Sequence, residues 1–397
     1  MRTPLEGVRV LEFSHMVMGP VCGMVLADLG AEVIKIEPVA GDNTRRLSGS
    51  GAGYFAAFNR NKKSLALDLA DAQALAAVMR LVDRADVIIE NFRPGAMDRL
   101  GLGAAALEAR RPGLIYVSLK GFLAGPYAQR TALDEVVQMM AGLAYMTGPP
   151  GRPLRAGASV NDILGGVFGA LGVLAALVER GRSGRGTVID TGLYESCVLL
   201  VAQHMMQFAV TGQAAAPMPA RVAAWGLYDV FTLADGSQLF LGVVSDTQWR
   251  AFCEALGRGD WQADPRLATN PQRVAARPWW LAQVMQELGQ RSAEEVIALA
   301  TRAGLPWAPI GRPEDLFDDP HLLASGGLVP TVLPDGRSTL TPLLPLALDG
   351  ERLPLCTPPP RIGEHTAQLL ARVGLDAAAV ADLTARGVAA CAGPKSG

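Results

Sequence analysis

The stretch GVRVLEFSHMVMGPVCGMVLADLGAEVIKIEP, residues 7–38, decides the fold because its apolar pattern changes period twice. Residues 7–13 alternate as a strand does, and residues 19–31 have helical spacing that ends at glycine. Residues 32–38 form a second strand pattern, which proline closes. A strand, a helix and a strand of these lengths predict a βαβ unit with parallel strands.

The same alternation continues along the first half of the chain. Strand patterns cover residues 63–69, 86–92 and 113–122, and a helical pattern covers residues 71–85. Strands that alternate with helices of this length predict an α/β fold with a doubly wound, Rossmann-like parallel sheet. We therefore expect ligands to bind at the loops that follow the carboxyl ends of the strands.

A second, smaller α+β domain is predicted after an alanine- and proline-rich break in composition. Its pattern begins with a hairpin at residues 227–244, turning at Asp235 and Gly236, and continues with helical stretches at residues 246–256 and 292–304. The predicted organisation is a large domain at 1–210, a linker at 211–223, a small domain at 224–317 and a C-terminal segment at 318–397.

Composition narrows the classes of partner. The 397 residues include 36 basic and 38 acidic side chains, so no global charge favours nucleic acid or an anionic membrane. Five scattered cysteines suit neither a metal site nor a disulfide framework, which predicts a cytoplasmic protein without a bound metal. The longest apolar run, residues 163–178, is shorter than the roughly 20 residues of a membrane helix and predicts a buried core helix.

Individual residues must carry the chemistry, because the sequence has no phosphate-binding P-loop, no HExxH or CxxC motif and no nucleophile elbow. The strongest candidate is Asp162, in GASVNDILGGVFGALGVLAAL at residues 157–177. If a helix begins there, its free N–H groups and dipole favour the ionised carboxylate, and the apolar run limits its solvation. Such a carboxylate can attack an activated acyl group. An ordinary helix N-cap is the alternative.

Six segments resemble the formyl-CoA transferase and carnitine CoA-transferase family, also called family III CoA-transferases. They follow one another in order over most of the chain and are residues 4–20, 26–42, 58–69, 85–102, 157–196 and 303–310.

This resemblance implies a homodimer of two interlocked subunits, each with a Rossmann-like large domain to which the C-terminal segment returns. It also implies a coenzyme A thioester as substrate, with no permanently bound cofactor, and it aligns Asp162 with the family's catalytic aspartate. The positions that match the family's coenzyme A contacts are Val17, Met18, Leu67 to Ala70, Asn91, Phe92, Arg93 and Arg99. Arg99 is the best candidate for a phosphate partner, because a guanidinium makes paired bonds to phosphate oxygens.

The carboxylate chemistry predicts a mixed anhydride and then an aspartyl-CoA thioester on Asp162. The fold is shared by α-methylacyl-CoA racemases, which carry a histidine directly before an aspartate where this chain has Leu133 before Asp134. Since leucine cannot exchange a proton, an isomerase is the disfavoured alternative. A coenzyme A-binding protein without catalysis is a further alternative, and Asp162 argues against it.

The substrate is predicted from weaker features of the sequence. Pro38 stands where formyl-CoA transferases typically have arginine, which does not favour formate or oxalate. The segment at residues 144–163 looks more like branches that act on short dicarboxylates. We therefore expect succinyl-CoA as the donor and an acid such as itaconate or mesaconate as the acceptor. Arg152 and Arg155 could hold its second carboxylate, although surface charge or coenzyme A phosphates would explain them equally well.

Overall fold

A computed structural model describes residues 3–221 and 223–393. The chain forms two compact units, one of Met1–Pro219 with Pro320–Gly397 and one of Ala220–Asp319. The predicted small domain, 224–317, falls within the second unit, and the predicted C-terminal segment falls almost wholly in the first. Residues 1, 2, 222 and 394–397, which the predicted domain boundaries include, lie outside the described residues.

The strands in chain order are β1 (Arg9–Phe13), β2 (Glu32–Glu37), β3 (Lys62–Leu67), β4 (Val87–Glu90), β5 (Ile115–Lys120), β6 (Val188–Gly192), β7 (Leu227–Thr232), β8 (Gln238–Val243), β9 (Trp307–Pro309), β10 (Leu328–Val332), β11 (Ser338–Pro342), β12 (Ala347–Leu348), β13 (Glu351–Arg352) and β14 (Ala389–Ala390).

The α-helices in chain order are α1 (Met18–Asp28), α2 (Tyr54–Phe58), α3 (Ala72–Val82), α4 (Ala96–Arg99), α5 (Ala104–Arg110), α6 (Asp134–Met140), α7 (Leu143–Thr147), α8 (Val160–Ser183), α9 (Leu193–Thr211), α10 (Asp246–Leu256), α11 (Gly259–Ala263), α12 (Asn270–Leu288), α13 (Ala293–Arg302), α14 (Pro320–Ala324), α15 (Thr366–Arg372) and α16 (Ala377–Ala385).

The first unit is built on a seven-stranded sheet in the order β14-β3-β2-β1-β4-β5-β6. Strands β1 to β6 are parallel, and β14 adds an antiparallel edge to β3. The prediction of an α/β fold with a parallel-dominated sheet is confirmed. Since β1 pairs with both β2 and β4, the strand order reverses there, and the loops after β1 and β4 flank the crevice in which such sheets bind ligands.

Successive side chains of each central strand pack into two different apolar cores, one on each face of the sheet. Leu11 and Ile34 belong to the core that also contains α3, α15 and α16, whereas Val10 and Val33 belong to the core that contains α1 and α8. All four of these side chains are buried. Burial on both faces explains why the strands are almost continuously apolar in sequence.

Helix α8 is packed on one face only, so the prediction of a buried core helix is wrong for its other face. The buried face consists mostly of glycine and alanine, which lets α8 lie close against α1: a Cβ atom added to Gly166 would come within 2.5 Å of the carbonyl oxygen of Met18. The opposite face exposes apolar side chains such as Leu171 (55%) and Val178 (61%). By length and composition alone α8 could cross a membrane, and one such helix is weak evidence for a membrane protein.

The second unit has its own core around an antiparallel sheet in the order β7-β8-β9. The predicted hairpin is present, with β7 paired to β8 over its full length. Trp249, Phe252 and Trp280 lie in the core, and the indole of Trp280 is fully buried. Helix α12, which carries Trp280, is an element that the sequence patterns did not predict.

Candidate active site

A cavity of about 480 Å³ lies in the first unit beyond the carboxyl ends of β1, β4 and β5. This is where the strand order reverses, as expected for an open parallel sheet. Its charged or ionisable lining side chains are His15, Arg93, Lys120, Arg130, Asp134 and Asp162. The segment that leads into α6 forms one wall, and the first turn of α8 brings Asp162 to it.

Asp162 is the third residue of α8 and is half-buried. The helix begins at Val160 with Ser159 at the N-cap position, so the alternative that Asp162 is the cap is wrong. Burial, and to a lesser extent the negative charge of Asp134, raise the pKa of its carboxyl to about 7, against the opposing effect of Arg155. The carboxylate accepts no hydrogen bond from the described residues.

The first turn of α8 is capped by a side chain from another helix. The carboxylate of Asp134, at the start of α6, accepts the N–H groups of Asn161 (2.8 Å) and Asp162 (3.2 Å) through Oδ2. These are the N–H groups that we expected to favour ionisation of Asp162. Since a negative charge occupies them, the field at Asp162 opposes ionisation instead, which corrects the electrostatic part of the sequence argument.

The loops after β1 and β4 are tied together at the opposite wall. Asn91 accepts the backbone N–H of His15 (3.0 Å) and donates to the His15 carbonyl (2.9 Å), and the His15 ring lies 5.5 Å from that of Phe92. Met16 has a φ of 63°, and its N–H donates to Thr44 Oγ1 at 3.0 Å. A non-glycine residue in this left-handed region is strained, which indicates that the loop is held in one conformation.

A second cavity, of about 400 Å³, lies beyond the ends of β1, β2 and β3. It is lined by Pro38, Leu67 and Leu100 among others, and it shares Phe92 with the first cavity. The two cavities therefore adjoin along the carboxyl edge of the sheet.

The predicted coenzyme A contacts divide between these cavities and the surface. Met18, Asn91, Phe92 and Arg93 line the first cavity, and Leu67 and Phe92 line the second. The side chain of Val17 is completely buried in the core, and Ala70 and Arg99 are exposed and line neither cavity.

The two arginines predicted to bind a second carboxylate lie outside the cavity lining. Arg155 pairs with Glu135, and Arg152 is exposed. Leu133, the position that the racemase alternative requires to be a base, lines the cavity with 58% of its side chain exposed. It offers no group that can take a proton.

Lys120, Arg130 and Asp134 were not predicted as site residues. Lys120 pairs with buried Glu90, whereas Arg130 lies over the rings of Tyr127 (5.1 Å) and Phe122 (6.0 Å) and has no carboxylate partner among the described residues. Only the tertiary structure brings these residues close to Asp162, although the resemblance to racemases already pointed to Leu133 and Asp134. The described residues contain no cluster of three or more His, Cys, Asp or Glu that could hold a metal ion.

A half-buried carboxylate of raised pKa, in a cavity at the switch point of a parallel sheet, is the arrangement of an α/β enzyme. The chain belongs to CoA-transferase family III, whose model matches residues 5–366. It is therefore a transferase, and its substrates are coenzyme A thioesters.

Relatives cover nearly the whole chain. It is 35% identical to the succinate–glutarate CoA-transferase of Agrobacterium fabrum, over 94% of this chain and 96% of that protein. It is 34% identical to the succinyl-CoA–D-citramalate CoA-transferase of Chloroflexus aurantiacus, over 84% of each. The crystal structure of a CAIB/BAIF family protein from Brucella suis superposes with a TM-score of 0.85 at 32% identity, covering 94% of this chain and 100% of that one.

Proposed function

We propose that this protein is a soluble, cytoplasmic enzyme that moves coenzyme A from succinyl-CoA to a short dicarboxylic acid, with Asp162 as the nucleophile. The observation that carries the proposal is the Asp162 carboxylate, which lines a cavity at the switch point and accepts no hydrogen bond from the described residues. The names of the Agrobacterium and Chloroflexus relatives support succinyl-CoA and acids of four or five carbons. Itaconate and mesaconate are acceptors of this size.

The proposed reaction is a series of acyl transfers at the carboxyl group of Asp162, at an oxygen in the first and last steps and at Cγ in the two steps between them. The carboxylate attacks the thioester carbonyl, the C–S bond breaks, and a succinyl–aspartyl anhydride forms with free CoA thiolate. The thiolate attacks the aspartyl carbonyl, which releases succinate and leaves an aspartyl-CoA thioester. The acceptor carboxylate displaces the thiolate to form a second anhydride, and the thiolate attacks its acceptor carbonyl, which regenerates Asp162.

The adjoining cavities suggest how coenzyme A is bound. We propose that its adenine end occupies the cavity at Leu67 and Phe92 and that its thiol end reaches Asp162 past Met18 and Asn91. Arg93 lines the cavity that contains Asp162, and Arg99 is exposed at the end of α4. Both guanidinium groups are therefore available to the phosphates of coenzyme A. Val17 is buried in the core and supports the loop between β1 and α1. Ala70 follows β3, which ends at the cavity proposed for adenine.

The direct test is to incubate the protein with succinyl-CoA and a panel of acids, and to follow all CoA esters by mass spectrometry. The panel contains itaconate, mesaconate, glutarate and oxalate, with acetate and butyrate as monoacids. We expect a new dicarboxyl-CoA ester with matching loss of succinyl-CoA. Exchange with none of the acids would contradict the proposal, and deuterium uptake at the α-carbon of a branched acyl-CoA would support an isomerase instead.

Arg130 is our candidate for holding the distal carboxylate of the acceptor. It lines the same cavity as Asp162, and it packs on Tyr127 and Phe122 without an anionic partner among the described residues. We expect Arg130→Gln to raise the KM for dicarboxylic acceptors about tenfold or more and to leave the KM for monoacids unchanged, since a charge-assisted hydrogen bond is lost only with the diacids.

Arg152→Gln and Arg155→Gln are the comparison variants, since both arginines remain candidates for diacid recognition. A variant that raises the KM for diacids and monoacids alike excludes its arginine from this role. If Arg130→Gln does so, or changes neither KM, the assignment of Arg130 is wrong.

We also propose that the chain forms a homodimer, interlocked as the family resemblance implies. Helices α8 and α9 expose apolar side chains that a soluble monomer would rarely leave uncovered, among them Leu171 (55%), Leu199 (56%) and Phe208 (56%). We expect sedimentation velocity to give twice the chain mass of 41.8 kDa. Phe208→Glu should produce monomer, and Val332→Glu, at an exposed residue of β10, is the control. A monomeric wild-type protein would contradict the proposal.

A further inference from the structure

Asp134 makes a set of contacts that the proposed reaction does not yet use. Its side chain is buried (6% exposed), and both carboxylate oxygens are engaged. Oδ2 accepts two consecutive N–H groups of α8, from Asn161 and Asp162, and Oδ1 accepts the side-chain N–H of Gln138 one turn along α6.

Gln138 closes this network on the segment that leads into α8. Its side chain is completely buried, and its Oε1 accepts the backbone N–H of Ala156 at 2.8 Å. Asp134 therefore fixes the first turn of α8, and Gln138 fixes the approach to it. Both anchors come from α6, which makes the position of Asp162 depend on a neighbouring helix.

The contacts also give Asp134 the role that the N-cap residue of α8 would ordinarily have. An N-cap side chain commonly accepts the backbone N–H of the second or third residue of its helix. Here Asp134 accepts both of these N–H groups, whereas Ser159, at the N-cap position, makes no side-chain cap bond and contacts the Tyr54 hydroxyl at 3.2 Å.

We propose that Asp134 is a positioning residue, which caps α8 in place of Ser159 and so fixes the turn that places the carboxylate of Asp162 at the cavity. The inference rests on the proposed role of Asp162 as the nucleophile. The negative charge of Asp134 also disfavours ionisation of Asp162, so the carboxylate that does ionise is more basic and a stronger nucleophile.

Other charged groups act on Asp162 from the elements around it, and Asp134 must be separated from them. Arg155, in the segment before α8, lowers the pKa of Asp162 and is itself paired with Glu135. The remaining ionisable groups around the site are His15 after β1, Arg93 after β4, Lys120 on β5, Arg130 before α6 and Cys197 on α9.

The test removes the charge of Asp134 while keeping its hydrogen bonds. In Asp134→Asn the amide oxygen can still accept the α8 N–H groups, but the new NH₂ group faces the NH₂ of Gln138. The double variant Asp134→Asn with Gln138→Glu removes this conflict, because the amide at position 134 donates to the new carboxylate, which can still accept from Ala156. The negative charge thereby moves from position 134 to position 138, which makes no hydrogen bond to Asp162. Asp376→Asn, at the N-cap of α16, is the matched control.

The first readout is the pH dependence of kcat/KM for exchange between pH 5 and 9. We expect the wild-type rate to rise with pH with a midpoint near 7, the value to which the pKa of Asp162 is raised. Asp134→Asn should lower this midpoint by about one pH unit. The double variant should give an intermediate midpoint, and Asp376→Asn should leave it unchanged. An unchanged midpoint in both Asp134 variants would overturn the inference, because a purely structural cap would change only the rate or the stability.

A second readout needs no substrate and separates this inference from the proposed function. The difference in unfolding free energy between Asp162→Asn and its parent reports the ionisation of Asp162, and we would measure it against pH with Asp134 present and with Asp134→Asn. If Asp134→Asn moves the pH range of this stability change downward, the electrostatic coupling between Asp134 and Asp162 is supported even if the protein transfers coenzyme A to no acid. Exchange without such a shift would retain the proposed function and exclude the role of Asp134.

Discussion

Asp162→Asn is expected to lower the rate of coenzyme A exchange by about a thousandfold or more. Each proposed step forms or breaks a bond at this carboxyl group, at an oxygen or at Cγ, and an amide is a far weaker nucleophile in the first step. The substitution keeps the size of the side chain, and no hydrogen bond from the described residues is lost, because the carboxylate accepts none. The fold should therefore remain intact.

The intermediate gives this prediction a second measurement. Incubated with succinyl-CoA but no acceptor, the wild-type protein should gain the mass of a coenzyme A thioester, and hydroxylamine should remove it. Peptide mapping should locate the adduct at Asp162, and Asp162→Asn should carry none. Asp162→Ala guards against restoration of the carboxylate by deamidation. Undiminished exchange in the Ala variant, or an adduct on another residue, would exclude Asp162 as the nucleophile.

Sequence patterns predicted the sheet well because they are local. Strands such as β1 and β4 are buried on both faces and bounded by polar residues. A short apolar run with such ends is typical of a buried parallel strand and of few other elements. Helix α12 was missed because Pro278 lies in its interior, where proline usually ends or kinks a helix, although Ala276, Trp280, Val284 and Leu288 recur at helical spacing. Its capping box, formed by Thr269 and Gln272, was the available signal.

The site was predicted less completely, for the same reason. Asp162 is conspicuous as a carboxylate before an apolar run, and the family resemblance selected it. The residues that set its electrostatics come from other elements: Asp134 is 28 positions earlier in the chain and reaches α8 only through the packing of α6. No local pattern shows that the N–H groups of a helix are occupied by a distant carboxylate, so the residues around Asp162 predict the wrong sign for the field at its carboxylate.

The raised pKa of Asp162 also predicts that the active site costs stability at neutral and alkaline pH. In the folded protein the pKa is raised from 3.8 to about 7, so the native state binds a proton that the unfolded chain has already lost. The contribution of this group to the unfolding free energy therefore falls as pH rises through this window, and the full cost is present above pH 7. Asp162→Asn removes the cost because its side chain carries no charge at any pH.

We expect Asp162→Asn to be as stable as the wild-type protein at about pH 4 and more stable by about 2–4 kcal/mol at about pH 8. Denaturant unfolding from about pH 4 to 9 measures both proteins, and taking the difference cancels every other titrating group. Asp376→Asn is again the control, since its carboxylate lies at an exposed helix N-cap and its removal should not produce a rise centred on these pH values. A stability difference that does not change with pH would show that Asp162 titrates normally. A gain at alkaline pH together with lost exchange would mean that the fold keeps this carboxylate buried beside Asp134 for its reactivity and at the expense of stability.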